Sequence, residues 1–180
     1  MTLRNHNPKV GEVIRIPLNQ EKFCIAIVAH IDLQGDRFYL LGYAELLQGD
    51  LQTSEIQAFI STHEPSFGLS TSPALLDIGQ WAVIGEISNY NGSVFFPAFK
   101  KRESDGWFVT DLTRTYKRPA APEETHALTL TKYYSPSVLE KSLCGINDFS
   151  EYPVWADRIR VGKYPLARDY FENYAPPIAQ

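Results

Sequence analysis

The sequence predicts a β-rich α+β fold with two three-stranded antiparallel meanders, about six or seven strands in all, and two or three short helices. Apolar residues alternate with a period of two across residues 12–46 and again across 81–112, which is typical of antiparallel strands. An Asn-Gly pair at 91–92 and an Asp-Gly pair at 105–106 interrupt the second region. Such pairs favour the positive φ angles of two-residue hairpin turns. The meanders are expected to form a twisted sheet or a partly open barrel.

The chain has 180 residues, of which 44% are hydrophobic, so it can bury a substantial core within a single domain, 1–180. Its charged content of 21% is that of an ordinary globular protein. We expect the core to span residues 9–145. Residues 146–180 then form an aromatic-rich C-terminal extension that packs on this core.

Three runs make up the first predicted meander, namely EVIRIPL, FCIAIVAHI and RFYLLGYAEL. The middle run is apolar on both faces, which predicts a central strand that is covered on each side. Pro17 has no N–H to donate to a neighbouring strand, so its position indicates a sheet edge or a bulge.

A helix is predicted between the two meanders, in TSEIQAFIST, because Ile56, Phe59 and Ile60 recur at helical spacing. Ser54 and Gln57 are spaced as in a capping box. The second meander runs from Trp81 to Leu112 and uses both hairpin turns.

Further elements are predicted after the second meander. HALTLTKYY alternates as a seventh strand, and SPSVLEKSLCG predicts a short helix that begins at Ser135 or Ser137 and ends at Gly145. Leu166, Tyr170 and neighbouring aromatic residues suggest one more helical turn.

The start of the chain carries no apolar run after its first basic residues, so no secretory signal is predicted. The longest apolar stretch, FCIAIVAHI, is too short to cross a bilayer. Cys24 and Cys144 are widely separated and are interpreted as buried free thiols in a reducing compartment. We therefore expect a cytoplasmic protein without a membrane partner, in which Asn91 is a turn residue although it begins an Asn-Gly-Ser glycosylation pattern.

Catalytic and metal-binding patterns are missing from the sequence. The four histidines (His6, His30, His63 and His126) are scattered, and none forms a compact metal pair. Asp32 and Asp36 bracket a turn and are interpreted as solvated. We find neither a phosphate-binding glycine loop nor a Gly-x-Ser-x-Gly elbow. We therefore expect no enzyme activity, no catalytic residue, no metal and no cofactor.

Nucleic acid is an improbable partner on charge grounds. The formal net charge is −4, and the only basic triplet is Lys100–Arg102. A protein partner is favoured instead, because Tyr, Trp and Arg dominate binding hot spots and are concentrated in the tail. The alternative is that these rings cover one face of the sheet. The predicted partner-binding residues are Tyr90, Tyr152, Trp155, Arg158, Tyr164 and Tyr170.

Three stretches, in this order, resemble one family. KVGEVIRIPLNQEKFCIAIV is similar to the opening of the immunity protein 26 family of bacterial polymorphic-toxin systems, with Gly11 and Pro17 at matching positions. DIGQWAVIGEI resembles its central segment through Gly79, Trp81 and Gly85. SPSVLEKSL resembles its closing short helix. The resemblance covers most of residues 9–145, and the tail after Gly145 has no counterpart in it.

The resemblance implies a cytoplasmic protein that binds the C-terminal domain of a cognate toxin and neutralises it stoichiometrically, without catalysis or a cofactor. Gly11, Pro17, Gly79, Trp81 and Gly85 would then be structural residues of the family motif. The alternative is a small hydrolase or ligand-binding domain with a pocket between sheet and helices. A pocket with converging polar groups would favour this alternative. The sequence does not indicate an oligomeric state.

Overall fold

The computed structural model describes residues 6–18, 21–32, 37–130, 132–145 and 157–175, without the side chains of 144 and 145. In these residues ten strands form two open sheets, and short helices lie against them. The predicted β-rich α+β class is therefore confirmed. The prediction for the thiol of Cys144 lies outside the described side chains.

The strands are β1 (Glu12–Pro17), β2 (Lys22–Ile31), β3 (Phe38–Gly42), β4 (Leu47–Gln48), β5 (Phe67–Thr71), β6 (Ala82–Glu86), β7 (Phe99–Glu103), β8 (Gly106–Thr110), β9 (Lys117–Pro119) and β10 (Thr129–Leu130). The helices are α1 (Thr53–Thr62), α2 (Ala74–Asp77), α3 (Glu124–Ala127) and α4 (Pro136–Gly145). Two 3₁₀ turns span Ser93–Phe95 and Ala167–Asp169.

The first sheet is antiparallel, in the order β5-β3-β2-β1-β6, and β4 also pairs with β2. Strands β1 to β3 form the first predicted meander, which is confirmed. The central strand β2 is buried on both faces, as predicted. Cys24, Ala26 and Val28 belong to one hydrophobic cluster, while Ile25 and Ile27 belong to another.

Helices cover both faces of the first sheet. Leu139 and Leu143 of α4 are fully buried in one hydrophobic cluster, together with Trp81. Ile56 of α1 is fully buried in the cluster on the opposite face, where Phe96 also packs. Burying one such side chain stabilises the fold by about 1.5–3 kcal/mol. The first sheet is therefore the middle layer of the core.

Pro17 lies at a local edge of the first sheet. Strand β6 pairs with β1 only as far as Arg15, so β1 has a single neighbour, β2, at Pro17. A residue without an N–H can occupy this position without leaving a carbonyl of β6 unpaired. The prediction of an edge position is confirmed.

The second sheet has the order β10-β7-β8-β9. Strands β7, β8 and β9 are antiparallel and form the second meander, whereas the short β10 pairs with β7 in parallel. The Asp-Gly hairpin is confirmed, because Glu103 pairs with Gly106 and Gly106 has a φ of +141°.

The predicted hairpin at residues 91–92 is wrong. Strand β6 pairs with β1 in the first sheet and not with β7. Gly92 has a φ of −89°, and the side-chain oxygen of Asn91 accepts a 3.0 Å hydrogen bond from the N–H of Ser93. This Asx turn leads into a 3₁₀ turn, so the second meander begins at Phe99 and not at Trp81.

Other predicted boundaries need smaller corrections. The backbone N–H of Gln52 donates to the Glu55 carboxylate at 2.7 Å, so the N-cap of α1 is Gln52, two residues before the predicted Ser54. The predicted seventh strand reduces to β10, because residues 124–127 form α3. Helix α4 is confirmed and starts with Pro136, which is favourable at a first helical position.

The described part of the tail, residues 157–175, touches both sheets. Arg160 forms an antiparallel bridge with Phe67, at the edge of the first sheet. Leu166 forms a second antiparallel bridge, with Pro97, just before β7 of the second sheet. The predicted additional helical turn is the 3₁₀ turn Ala167–Asp169. This part of the tail therefore connects the two sheets.

Candidate functional site

A pocket of about 260 Å³ lies between the two sheets. The end of β2 and the start of β3 form one wall, and the turn that follows β8 forms the opposite wall. We call this pocket the charged cleft. Its lining residues are His30, Asp32, Arg37, Phe38, Tyr39, Ser70, Asp111, Leu112, Thr113, Arg114 and Tyr133.

Asp111 organises the wall that the second sheet contributes. It is 1% exposed, and its Oδ1 accepts a 3.2 Å hydrogen bond from the N–H of Tyr116. Its Oδ2 accepts hydrogen bonds from the hydroxyls of Thr113 and Tyr174. Both carboxylate oxygens are therefore engaged within the protein, and Asp111 serves to hold the turn.

The same turn holds Arg114 in an unusual backbone conformation. Arg114 has a φ of +61°, and its N–H donates a 3.2 Å hydrogen bond to the main-chain oxygen of Asp111. A non-glycine residue at positive φ costs on the order of 1–3 kcal/mol, which the surrounding hydrogen bonds must offset. The side chain of Arg114 is exposed at the cleft.

His30 lies near the end of β2, beyond an irregularity in the pairing of β2 with β3. Its ring contacts the ring of Phe96 edge to face, with 6.0 Å between the centroids. Burial lowers the pKa of His30, while the charges of Asp111 and Asp32 oppose this effect. The imidazole is therefore neutral at neutral pH and can accept or donate a proton.

Asp32 contributes an unsatisfied carboxylate oxygen. Its N–H donates to the main-chain oxygen of Arg37 at 3.0 Å, but its Oδ1 is buried and has no hydrogen-bond partner in the described part of the chain. Asp32 as a whole is partly exposed, so the interpretation of it as a solvated turn residue holds for the residue but not for this oxygen. A buried acceptor without a donor is costly, so this oxygen lowers the stability of the fold.

Arg37 and Tyr133 form the outer rim of the cleft. The guanidinium carbon of Arg37 lies 3.9 Å from the centroid of the Tyr133 ring, and Tyr133 is 42% exposed. Neither Arg37 nor Arg114 forms an ion pair with any residue that the structure describes. The cleft is thus lined by two guanidinium groups that have no ion-pair partner among the described residues.

The predicted partner-binding residues do not form one surface. Tyr90 is partly buried and shares a hydrogen bond with Tyr43, and burial raises its pKa. Tyr170 packs against the Arg118 guanidinium, 5.4 Å from its ring centroid. The structure brings together only Arg158 and Tyr164, which line a second pocket of about 40 Å³. Tyr152 and Trp155 lie outside the described residues. A binding role for these six residues stays a prediction.

The family-motif residues are grouped on β1, β6 and the turns next to them. Val13 pairs with Gly85, and Trp81 is 2% exposed. Gly11 has a φ of +93°, and a Cβ placed there would lie 2.3 Å from the carbonyl oxygen of Ile87. Gly79 also has a positive φ, +72°, but nothing crowds it.

Sequence reasoning missed the contribution of Asp111 and Arg114 to a site. An Asp two residues before a Thr, as in Asp111-Leu-Thr113, is a local signal for a side-chain-capped turn. That signal predicts the turn but not its contact with β2, because the two walls come from segments about 80 residues apart in the chain.

Among the described residues, no three His, Cys, Asp or Glu side chains are grouped closely enough to hold a metal ion. The same residues include no helix with the length and apolar character needed to span a bilayer. Comparison of the chain with models of known families, with curated proteins and with solved structures finds no match in any of the three.

Proposed function

We propose that this protein is an immunity protein, which binds a cognate bacterial toxin in the cytoplasm of the producing cell and neutralises it stoichiometrically. One observation carries the proposal. The three stretches that resemble immunity protein 26 are distant in sequence but meet in space. Strand β1 pairs with β6, and Leu139 of α4 packs in the same cluster as Ile14 and Trp81. The resemblance therefore concerns one folded unit and not isolated strands.

The fold suits inhibition by surface contact. An inhibitor loses little conformational entropy on binding when its contact residues are already held in place. Arg158 and Tyr164 lie in the part of the tail that bridges to both sheets, at Arg160 and Leu166. We propose that they contribute to the contact with the C-terminal domain of the toxin, since Arg and Tyr are common hot-spot types.

The experiment pairs this protein with the toxin domain encoded by the adjacent upstream gene. Cells that express the toxin domain are expected to survive when this protein is co-expressed, and the purified pair is expected to form a complex of defined stoichiometry by light scattering. Arg158→Ala and Tyr164→Ala should weaken the complex by about tenfold or more. Arg168→Ala is the matched control, because its side chain is 53% exposed and belongs to the same segment. Cell death with soluble protein present, and no complex, would contradict the proposal.

A second candidate function is a ligand-binding domain or small hydrolase that uses the charged cleft. The observation that favours it is the cleft itself, in which polar side chains such as His30, Asp32 and Arg114 converge. His30, held neutral by burial, could serve as a general base in such an enzyme. Release of p-nitrophenol from a simple ester by the wild type, with loss in His30→Ala, would support hydrolysis. Equal rates in both proteins would argue against it.

A further inference from the structure

We propose that the small pocket beside the tail binds a carboxylate group, which accepts hydrogen bonds from the hydroxyls of Tyr39 and Ser70. We call it the tail pocket. Its volume is about 40 Å³, and Arg158 and Tyr164 contribute to its lining. The binding site itself goes beyond toxin immunity. Only the question of whether the toxin supplies the carboxylate rests on that proposal.

The tail pocket lies at the outer edge of β5. Phe67 forms a bridge with Arg160 of the tail, and Ser70 forms a bridge with Tyr133, so this edge is covered on each side of Gly68. Gly68 itself lines the pocket. The pocket therefore occupies a gap between two contacts that hold its walls in place.

The hydroxyl of Tyr39 supplies the first donor. Tyr39 is 5% exposed, and its hydroxyl oxygen lies 2.1 Å from the position that a Cβ of Gly68 would take, so the glycine makes room for it. Both residues line the tail pocket. The hydroxyl has no hydrogen-bond partner in the described part of the chain, but it is not fully enclosed as the Oδ1 of Asp32 is. Burial and the nearby Tyr134 phenol raise the pKa of Tyr39, so the hydroxyl keeps its proton and remains a donor.

Ser70 supplies the second donor. It is directly opposite Tyr39 in the pairing of β3 with β5, so the two side chains lie on the same face of the sheet. Ser70 is 6% exposed and also lines the tail pocket. Its hydroxyl likewise has no hydrogen-bond partner among the described residues and is not fully enclosed. Two nearly buried hydroxyls without partners, lining one pocket, indicate a ligand that accepts hydrogen bonds.

The charge of the lining selects an anion as that ligand. The charged side chains of the lining are Lys132, Arg158 and Arg160, and no described Asp or Glu lines the pocket. Asp157, which is close in the chain, is ion-paired with Lys163. The three cations are exposed and would not indicate a ligand alone, but they line the same pocket as the two buried donors. Hydrogen bonds to an ionised acceptor are also stronger than those between neutral groups.

Size and apolar surface favour a carboxylate among the possible anions. A single water needs about 10–15 Å³ of such space. A pocket of about 40 Å³ therefore admits a planar group of a few atoms and excludes a large ligand. Phe95, Phe99 and Leu166 add apolar surface, which suits the methyl or methylene group next to a carboxylate. Phosphate is larger and carries more charge, so it would lose more hydration on entry.

The test is an NMR titration of the full chain with sodium acetate, with sodium chloride at equal ionic strength as the reference. Acetate is expected to cause saturable shifts of the Gly68 and Ser70 amides. Tyr39→Phe removes the hydroxyl and keeps the ring, so it should weaken acetate binding by about tenfold or more. Arg160→Gln, at an exposed position, should weaken it as well. Tyr133→Phe is the matched control, because the Tyr133 side chain does not line this pocket, and should bind acetate as the wild type does.

Two further ligands test the chemical class. Acetamide has the shape of acetate without its charge and should not bind, and inorganic phosphate should bind more weakly than acetate. Near-ultraviolet circular dichroism verifies that each variant is folded. The inference is overturned if acetate causes no saturable shift, if acetamide or phosphate binds as tightly as acetate, or if Tyr39→Phe and Arg160→Gln both keep the wild-type affinity.

The source of the carboxylate is decided by adding the toxin domain to the acetate-saturated protein. Release of acetate as the complex forms would identify an Asp or Glu side chain of the toxin as the source. Retention of acetate in the complex would identify a free small carboxylate. The acetate titration uses this protein alone, so failure of the immunity proposal leaves it intact and the two failures are distinguishable.

Discussion

The phenol of Tyr174 donates a 3.2 Å hydrogen bond to Oδ2 of Asp111. The two residues are 63 positions apart, so this bond fastens the tail to the turn that forms one wall of the charged cleft. The Tyr174 ring also packs against Tyr116, with 4.9 Å between the centroids. Burial and the Asp111 charge raise the pKa of Tyr174, so the phenol keeps its proton at neutral pH and remains a donor.

Replacing Tyr174 with Phe removes this hydrogen bond and keeps the ring. We expect the free energy of unfolding to fall by about 1–2 kcal/mol, because the lost bond is made to a charged acceptor. Urea denaturation measures the difference. Tyr133→Phe is the control, since its side chain is exposed and has no such acceptor among the described residues. Equal losses in the two variants would contradict the assignment.

His30 should make stability depend on pH in a defined direction. Its pKa in the folded protein lies below the ordinary value of 6.5, so the unfolded chain takes up a proton first as the pH falls. The contribution of neutral His30 to the free energy of unfolding is therefore fully present above about pH 6.5. It decreases as the pH falls toward the lower pKa of the folded state. His30→Gln should have a flatter stability profile over this interval, measured by urea denaturation at several pH values. His126→Gln, an exposed site on α3, should keep the wild-type profile.

Glu124 gives a pH dependence in the same direction as His30 but in a more acidic interval, because its ordinary pKa is 4.5 and not 6.5. Its carboxylate accepts two hydrogen bonds from Arg118, at 2.8 and 2.6 Å, and one from the N–H of Ala121. The Arg118 hydrogen bonds lower the pKa of Glu124 against the opposing effect of burial. The resulting stability is present above the pKa of the unfolded chain and is lost as the pH falls through the folded value.

Glu124→Gln should therefore lower the free energy of unfolding by about 1 kcal/mol at neutral pH, the upper end for a partly exposed ion pair. The difference from the wild type should shrink under acidic conditions. Thermal denaturation at several pH values measures it. Glu123→Gln is the adjacent control, because that side chain is exposed. A loss that stays constant with pH would rule out the ion pair as its cause.

Gly11 and Gly49 allow a matched test of crowding. Both have a positive φ, +93° and +73°, but only at Gly11 would a Cβ meet a backbone atom, the carbonyl oxygen of Ile87. Gly49→Ala should cost about 1–2 kcal/mol, from the backbone conformation alone. Gly11→Ala should cost about 3 kcal/mol or more, because the contact between the residue before β1 and the residue after β6 must also shift. Comparable costs in urea denaturation would show that the contact at Gly11 is unimportant.

The elements that are best predicted from the sequence are those determined by residues close to them in the chain. The Asp-Gly turn at 105–106 forms a hairpin because the strands on either side of it, β7 and β8, are adjacent in the chain and pair with each other. The Asn-Gly pair at 91–92 carries the same local signal but fails. Strand β6 has an available edge on β1, and Gly92 lies against the side chain of Leu41. The pairing of β6 is decided by competition between strands that are far apart in the chain. The alternation of apolar and polar residues alone cannot predict it.

The candidate site was harder to predict than the fold. His30 and Asp32 are near each other in the chain, and the sequence places both at the end of a strand. Asp111 and Arg114, which line the same cleft, lie in the turn after β8, and only the tertiary fold brings them near.

The two bridges of the tail, Arg160 to Phe67 and Leu166 to Pro97, have a consequence for the order of events during synthesis. Both sheets precede residues 157–175 in the chain, so they leave the ribosome first and can each fold while still held together only by the segments between them. The bridges can form only after residue 166 has emerged. The two contacts that join the tail to both sheets are therefore among the last to become possible in a newly made chain.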